Sequence, residues 1–372
     1  MLRETTPQFE ADDWVLRSEY WASREANRSP KRPKRQRQKG PLILCGHGIH
    51  LRVDRGTLFV RDGFTHYPQT KAELRYFPGD LETPERIIII DGTGGLSLAV
   101  LDWFVEQGIT LVRIGWNGKS IVTLGGSSSF VDPEKIVWQF ETSRDDRKRI
   151  EFAASILVRK LQATLETLNA CLPSSKEKDS ARKSIGDGLK RLAKSKVQKF
   201  SDLYAIEGPC AQSYFAAWRG LKLNWKKKPR DLIPPAWLEF DSRSSLLSGK
   251  KQKNWKASHP INAMLNYGYA MLEADLRIKC ITQGFDPRIG IAHRPDKGSP
   301  DPFLFDVMEP FRPVVDRAVL EFALSESFSP KDFVLRSDGV CRLSPQLARA
   351  LAGRVSEALV ACDFTAPPNA LS

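Results

Sequence analysis

The pattern of hydrophobic residues changes once along this chain of 372 residues, near residue 125. Between residues 41 and 123, short runs rich in β-branched residues alternate with turn signals such as Asp-Gly at 62–63 and Asn-Gly at 117–118. Beyond residue 125, apolar residues recur at helical spacing over much longer stretches. The sequence therefore predicts an α+β protein, in which a small N-terminal β domain precedes an all-α domain.

The expected elements divide the chain into three parts: a basic extension at 1–40, a β domain at 41–125 and a helical domain at 126–372. Strands are predicted at 41–45, 51–53, 57–61, 73–77, 86–91, 110–114 and 121–124, with one helix at 96–107. In the third part, helices are predicted at 133–172, 176–199, 202–218, 260–283, 306–324 and 345–360.

Residues 1–40 are expected to be poorly ordered. Seven basic residues and no acidic residue lie between Arg28 and Lys39, and two prolines interrupt them. Such a segment buries too little apolar surface to offset the entropy cost of ordering it. A DNA-contacting arm, a localisation signal and a solvated extension all remain open, so we assign this segment no role.

The charge of the chain favours a polyanionic partner. It has 57 Lys and Arg residues against 44 Asp and Glu residues, a net charge of +13. No apolar run is long enough to span a membrane, so we expect a soluble, cytoplasmic protein. The six cysteines include no Cys-x-x-Cys pair, which argues against a zinc ribbon and predicts reduced thiols.

One region combines a helical segment, an isolated histidine and an acidic cluster. The helical segment is 262–270, the histidine is His293, and the acidic cluster runs from Asp306 through Glu309 to Asp316. An imidazole and several carboxylates brought together by folding would bind Mg²⁺ or Mn²⁺, with coordination positions left for water and phosphate oxygens. This combination indicates phosphodiester chemistry on nucleic acid.

Each candidate residue also has an ordinary structural interpretation. Glu207 lies among apolar residues of a predicted helix, and Gly208 would let another backbone approach, but a surface glutamate is the more common case. His293 by itself is more often an interior histidine than a ligand. Asp306 and Glu309, three residues apart, fit one side of a helical turn, yet acidic residues are common at helix starts.

The segment 219–256 is a candidate DNA-binding surface. It contains eleven basic and three acidic residues, together with three tryptophans. Basic side chains neutralise phosphates, and aromatic rings stack on bases or wedge at a duplex end. The alternative is a solvated loop whose tryptophans cover the hydrophobic core. The side chains expected to contact double-stranded DNA are Lys226, Lys227, Lys228, Arg230 and, outside this segment, Arg312.

In combination and in order, these motifs resemble the integrase-nuclease family of CRISPR spacer acquisition, the first CRISPR-associated protein family. The resemblance covers roughly residues 41–360. The motifs that carry it are Asp91-Gly-Thr-Gly-Gly-Leu-Ser97, Glu207-Gly208 with Tyr214-Phe215, Leu265-Asn266-Tyr267-Gly268-Tyr269-Ala270 with Glu273, Phe285-Asp286-Pro287, Gly290 to His293, and Phe305-Asp306-Val-Met-Glu309-Pro310-Phe311-Arg312-Pro313. The long basic extension departs from the short start that is usual in the family.

The resemblance implies that Glu207, His293 and the acidic cluster bind Mg²⁺ or Mn²⁺. Within the cluster, Glu309 matches the position most often assigned to the third ligand and Asp306 matches a neighbouring acid of similar importance, so either of the two is a candidate for the dominant third ligand. It implies direct transesterification, in which the 3′-hydroxyl of a DNA end attacks a repeat phosphodiester. It also implies a homodimer joined through the β domains and bridged by a small second adaptation protein. A transposon-borne integrase of the same family and a non-catalytic DNA-binding relative are the alternatives.

Overall fold

The computed structural model describes the parts of the chain that carry the fold and the candidate site. These are residues 13–26, 40–64, 72–115, 120–125, 132–194, 197–226, 233–243, 246–247, 250–251, 256–294 and 301–362. An N-terminal β-sheet is followed by a mostly helical region, which confirms the predicted fold class.

A mixed sheet of six strands forms the N-terminal part. Its strands are β1 (Leu42–Asp54), β2 (Thr57–Arg61), β3 (Glu73–Tyr76), β4 (Arg86–Leu96), β5 (Thr110–Ile114) and β6 (Ser120–Gly125). The strand order is β3-β2-β1-β4-β5-β6; β4 is parallel to both β1 and β5, and the outer pairs are antiparallel.

Ten helices are described: α1 (Asp13–Ala26), α2 (Ala99–Glu106), α3 (Pro133–Arg144), α4 (Asp146–Cys171), α5 (Lys176–Lys194), α6 (Phe200–Ala216), α7 (Pro260–Thr282), α8 (Pro302–Met308), α9 (Arg312–Ser325) and α10 (Pro345–Val360). A 3₁₀ turn, Glu309–Phe311, joins α8 to α9. Small two-stranded sheets accompany the helices: β7 (Asn224–Trp225) with β10 (Ser327–Phe328), β8 (Leu246–Leu247) with β9 (Lys250–Lys251), and β11 (Phe333–Leu335) with β12 (Cys341–Leu343). The second part is thus mostly helical rather than purely helical.

The central strands are buried on both faces. Because successive side chains of a strand point to opposite faces, Ile87 joins the apolar cluster around α2, whereas Ile88 and Ile90 join the core of the helical region. The same alternation separates Leu44 from Cys45 in β1. The helices therefore pack directly on the sheet.

Several boundaries differ from the sequence prediction. The strands expected at 41–45 and 51–53 form one long strand, β1. β4 continues through the glycine-rich stretch to Leu96, since a Cβ atom at Gly94 would lie 1.8 Å from the carbonyl oxygen of Ile49 and only glycine fits there. The helix expected at 133–172 is interrupted at Asp145, whose side chain accepts hydrogen bonds from the backbone N–H groups of Arg147 and Lys148 and caps α4.

Residues 13–26 were expected to be poorly ordered, and they instead form helix α1. Arg17 and Trp21 of this helix are buried. The Arg17 guanidinium donates to both carboxylate oxygens of Asp332, at 3.0 and 2.5 Å, and Trp21 stacks on Phe322 with ring centroids 5.3 Å apart. Apolar packing and a buried ion pair thus hold α1 against the C-terminal part of the chain. The basic run 28–39 lies outside the described residues.

Among the described residues, none of the helices combines the length and the apolar composition that crossing a membrane requires.

Candidate active site

Four elements bring the candidate residues to one cleft. Glu207 lies in the middle of α6, His293 on the loop after α7, Asp306 in α8, and Glu309 at the start of the 3₁₀ turn. All four side chains line one cavity of about 100 Å³. Residues that lie far apart in the chain therefore share one cavity.

Asp306 holds the loop that carries His293. Its carboxylate is fully buried and accepts hydrogen bonds from the backbone N–H groups of Ile291 (2.7 Å), Ala292 (3.1 Å) and His293 (2.8 Å). The Nδ1 atom of His293 lies 2.7 Å from Oδ1 of the same carboxylate. This arrangement engages Nδ1 and makes Nε2 the nitrogen available to a ligand.

The loop is further fixed by its surroundings. A Cβ atom at Gly290 would lie 2.4 Å from the carbonyl oxygen of His293 and 2.5 Å from Pro302, so the chain can turn this tightly only with glycine. Arg149 of α4 donates to the carbonyl oxygen of Ile291 at 2.9 Å. The imidazole therefore has a defined position before any ligand binds.

The hydrogen bond to Asp306 also affects the charge of the imidazole. It raises the pKa of His293 above its ordinary value, although burial acts in the opposite direction. A cation that binds at Nε2 must therefore displace a proton that is held more firmly than in an isolated histidine.

Lys160 of α4 lies between the two glutamates. Its Nζ atom is 2.5 Å from Oε1 of Glu207 and 2.6 Å from Oε2 of Glu309, and its side chain is 19% exposed. The contact with Glu309 is an ion pair to Oε2, a buried carboxylate oxygen. Burial would lower the pKa of Lys160, but the two carboxylates raise it, so the side chain is an ammonium at neutral pH.

Glu309 is a carboxylate throughout the physiological pH range. Burial would raise its pKa, but the positive charges of Arg312 and Lys160 lower it to about 2. The Nε atom of Arg312 lies 2.9 Å from Oε1 of Glu309. Arg312, a predicted DNA contact, is thus ion-paired with a candidate metal ligand.

Asp316, the last member of the acidic cluster, lines a second cavity of about 280 Å³, which Glu207 and Glu309 also line. Its carboxylate accepts hydrogen bonds from the hydroxyl groups of Tyr269 (2.5 Å) and Tyr214 (3.1 Å). Burial raises the pKa of Asp316 to about 6, although these hydrogen bonds act against that rise. The tyrosines of two of the sequence motifs therefore meet at one buried carboxylate.

The residues present fit a divalent cation in their chemistry. Glu207 and Glu309 supply hard carboxylate oxygens, and His293 supplies Nε2. In the part of the chain that the structure describes, no three His, Cys, Asp or Glu side chains are arranged at ligand distances from one point. The ammonium of Lys160 stands between the two carboxylates instead.

The structure describes some of the other residues for which a role was predicted, and others lie outside the described residues. A Cβ atom at Gly208 would meet nothing within 4 Å, so that glycine does not serve a close backbone approach as we had expected. Lys226 is exposed at the end of β7. The predicted DNA contacts Lys227, Lys228 and Arg230 lie outside the described residues.

The two tryptophans of the basic segment that the structure describes belong to the core. Trp237 is 3% exposed and donates to the carbonyl oxygen of Ser258 at 2.9 Å. Trp225 is partly buried and stacks on Trp237, with ring centroids 6.4 Å apart. For these two residues, the alternative in which tryptophans cover the core is the one observed.

Comparison with known proteins identifies the family that this chain matches. The sequence model of the family described as "CRISPR associated protein Cas1" matches residues 42–357. The chain is 25% identical over 309 residues to the CRISPR-associated endonuclease Cas1 of Korarchaeum cryptofilum, covering 80% of this chain and 81% of that protein. It is also 25% identical over 334 residues to an endonuclease Cas1 of Archaeoglobus fulgidus, covering 86% and 88% of the two chains.

Solved structures agree with this result. A casposase bound to an integration product superposes with a TM-score of 0.68 at 25% identity, covering 86% of this chain and 82% of that one. The Cas1 protein of Thermotoga maritima superposes with a TM-score of 0.63 at 17% identity, covering 87% and 91%, and so shares the fold.

Proposed function

Because the chain belongs to the CRISPR-associated protein Cas1 family, we propose that it is a metal-dependent DNA endonuclease and integrase. It inserts new spacer DNA into a CRISPR array by transesterification, in which a 3′-hydroxyl attacks a repeat phosphodiester. The observation that carries this proposal is the meeting of Glu207, His293 and Glu309 in one cleft of a basic protein.

Glu207, His293 and Glu309 would hold Mg²⁺ or Mn²⁺, and the bound ion would stabilise the charge that develops on the scissile phosphate. Asp306 acts on His293, because its carboxylate fixes the loop and engages Nδ1. It is therefore a positioning residue and not a ligand in this proposal. Arg312 keeps Glu309 ionised and adds positive charge beside the phosphate site.

The proposed substrate is double-stranded DNA, both as the spacer precursor and as the CRISPR repeat. The net charge of +13 supports binding to phosphates, and Lys226, Lys227, Lys228 and Arg230 remain the predicted contacts. The structural relative bound to an integration product supports a joining reaction rather than cleavage alone. The proposed location is the cytoplasm, where the array is found.

We further propose a homodimer joined through the β domains, together with a small second adaptation protein. Exposed apolar side chains on the N-terminal part support an interface there: Phe77, Leu98 and Val105 are 55%, 79% and 61% exposed. A Cas6-RT-Cas1–Cas2 complex shares the fold, with a TM-score of 0.63 at 17% identity.

Joining of DNA ends to a repeat-containing plasmid tests the proposal. The purified protein, with and without the second adaptation protein, should join ends in Mn²⁺ or Mg²⁺ and stop when a chelator is added. Glu207→Ala, His293→Ala and Glu309→Ala should each nearly abolish joining, and double changes should add little, because ligands of one ion act as a unit. DNA binding should persist in all three variants.

Glu151→Ala is the matched control, since Glu151 is 62% exposed, is paired with Arg147 and lines neither cavity of the cleft. Full joining activity in chelator, or a folded His293→Ala variant that joins normally, would contradict the metal assignment. A protein that binds DNA but never joins it would be the non-catalytic relative.

The similarity to a casposase keeps a transposon-type integrase as the second candidate. The two functions differ in the target DNA that they require. A CRISPR integrase should prefer a plasmid that carries the repeat and should respond to the second adaptation protein, whereas a transposon integrase should ignore both.

A further inference from the structure

The ion bridge formed by Lys160, Glu207 and Glu309 separates two cavities. The smaller cavity, of about 100 Å³, contains His293, and the larger one, of about 280 Å³, contains Arg243, Arg312 and Asp316. Among the described residues, the only side chains that line both cavities are those of Lys160, Glu207 and Glu309. The bridge is therefore a partition across one cleft.

The ammonium lies between two of the three proposed ligands. Its two carboxylate contacts, 2.5 and 2.6 Å, come from α6 and from the 3₁₀ turn, and each carboxylate is a proposed ligand. Two partly buried carboxylates repel each other unless a cation lies between them. Lys160 supplies that cation from within the chain.

We propose that Lys160 is a built-in counter-cation that competes with the divalent metal and must leave the two glutamates before the metal can bind. This inference rests on the proposed function, because it concerns the same site. It accounts for the finding that the described Glu207, His293 and Glu309 side chains share a cavity without forming a set of three ligands.

The chemistry of lysine suits this role. A lysine ammonium is a point charge on a flexible four-carbon stem, so it can leave without moving the helix that bears it, unlike the planar fork of arginine. Both cavities, which Lys160 lines, offer space for the displaced side chain. Displacement would remove the partition and join the His293 side of the cleft to the Arg312 side.

The competition has a thermodynamic consequence. With Lys160 in place, its ammonium already neutralises charge on the two carboxylates. The metal must displace this ammonium, so the apparent metal affinity is reduced by the free energy of the ion pairing. Lys160 thus lowers the intrinsic metal affinity and stabilises the metal-free protein. It is a positioning residue, since its proposed action is on the ligands.

Titration of Mn²⁺ into the full-length protein, followed by calorimetry or by electron paramagnetic resonance of the free ion, tests the proposal. Lys160→Met keeps much of the apolar stem and removes the charge. We expect it to bind Mn²⁺ at least about tenfold more tightly than the wild type, because an adjacent competing charge is removed. Lys148→Met is the control, since Lys148 is on the same helix but is half exposed and 4.0 Å from its partner Glu141.

A second measurement separates competition from a merely structural role. In chelator, Lys160→Met should melt at a lower temperature than the wild type, and Mn²⁺ should raise its melting temperature more. If Lys160 had only a structural role, Lys160→Met would lower the melting temperature by the same amount in chelator and in Mn²⁺. Lys160→Arg keeps the charge and should bind Mn²⁺ no more tightly than the wild type.

The outcomes distinguish this inference from the proposed function. If the wild type binds Mn²⁺ and Lys160→Met binds it equally or more weakly, the counter-cation role is wrong and the metal site stands. If neither protein binds Mn²⁺, the metal site and the counter-cation role both fail. If Lys160→Met does not fold, Lys160→Arg decides: tighter Mn²⁺ binding than the wild type would overturn the role, and equal or weaker binding supports it.

Discussion

At the scale of single residues, Asp306 has a role that is distinct from that of the other acids in the cleft. All the hydrogen bonds that we observe at its carboxylate come from residues 291–293. Its oxygens are thus occupied by the loop, whereas the carboxylate of Glu309 contacts the cationic side chains of Lys160 and Arg312, which a metal ion could replace. A carboxylate saturated in this way orients a ligand more readily than it becomes one.

The change Asp306→Asn should therefore act through His293. An asparagine presents an N–H group where the carboxylate accepts, so the hydrogen bond that raises the pKa of His293 is weakened and that pKa should fall. Joining activity should fall by roughly 10- to 100-fold, as for other residues that orient ligands. Titration of His293 by NMR in metal-free protein checks the first expectation, and the joining assay checks the second.

Asp338→Asn is the control for this prediction, because Asp338 is 43% exposed and lies outside the cleft. An unchanged His293 pKa in a folded Asp306→Asn protein would show that Asp306 does not set the charge of the imidazole.

The candidate acids and the histidine could be found from the sequence, but Lys160 could not. Glu207, His293, Asp306 and Glu309 stand out because the motifs that contain them resemble, in order, those of a known family, although each residue alone also has an ordinary structural interpretation. Lys160 lies in an amphipathic helix where basic residues are ordinary, and its role arises only when α4 packs beside α6. Sequence periodicity reports which face of a helix is apolar, not which helix that face meets.

At the scale of elements, α1 is the clearest departure from the sequence prediction. The overall charge of residues 1–40 predicts poor order, yet Arg17, Tyr20, Trp21 and Arg24 follow helical spacing and all contact the C-terminal part of the chain. That spacing was a readable signal of an amphipathic helix. The overall charge of residues 1–40 does not show this spacing, because it also includes the neighbouring basic run.

The docking of α1 depends on the buried pair of Arg17 and Asp332, whose side chains are each 2% exposed. Arg17→Met should leave Asp332 without its counter-charge and cost roughly 3–5 kcal/mol. Urea denaturation measures the free energy of unfolding, and hydrogen exchange of residues 13–26 shows whether α1 detaches first.

Arg147→Met is the control, because it removes the exposed pair of Arg147 and Glu151 and should cost less than about 1 kcal/mol. Equal costs for the two variants would contradict the anchoring role.

The N-terminus of α7 should make the stability of the protein depend on pH. His259 caps this helix, since its Nδ1 atom accepts a hydrogen bond from the backbone N–H of Ile261 at 3.1 Å. Burial lowers the pKa of His259 to about 4. Between pH 6.5 and about 4, the unfolded chain binds a proton at this residue and the folded chain does not. Stability from this group is therefore full above pH 6.5 and declines as the pH falls toward 4, by at most ~1.4 kcal/mol per unit.

Asparagine can accept the same capping hydrogen bond without titrating, so His259→Asn should reduce the loss of stability between pH 7.5 and 5.5. Urea denaturation at the two pH values measures the difference, and His50→Asn in β1 serves as the control. The same loss in His259→Asn as in the wild type would show that His259 is not the source.

At the scale of the whole molecule, the sheet and the helices share one core. The face of the sheet that carries Ile88 and Val112 is covered by the helical region, and the ion pair of Arg86 with Asp275 connects β4 to α7. The change of hydrophobic pattern near residue 125 falls between β6 and α3. This change could not show that the sheet packs against the helices. An apolar run indicates that a strand is buried, but it does not indicate which element covers each of its faces.

The net charge of +13 belongs to the whole molecule, but DNA contacts are expected to be local. Replacing Lys226, Lys227 and Lys228 with Ala should weaken DNA binding similarly across sequences. It should also flatten the dependence of affinity on salt, by roughly 0.9 in logarithmic slope for each phosphate that the protein no longer neutralises.

Replacing three exposed lysines of α5, Lys183, Lys190 and Lys194, removes the same charge from another surface. If the net charge alone attracts DNA, the two triple variants should behave alike, because each lowers the charge of the protein by three. If the segment around Lys226 contacts phosphates directly, only the first variant should show the reduced slope, since only direct contacts release the condensed counterions. Binding measured by fluorescence anisotropy at roughly 50 to 200 mM salt, on duplexes of unrelated sequence, separates the two cases. An unchanged slope in the first variant would show that this run is a solvated loop.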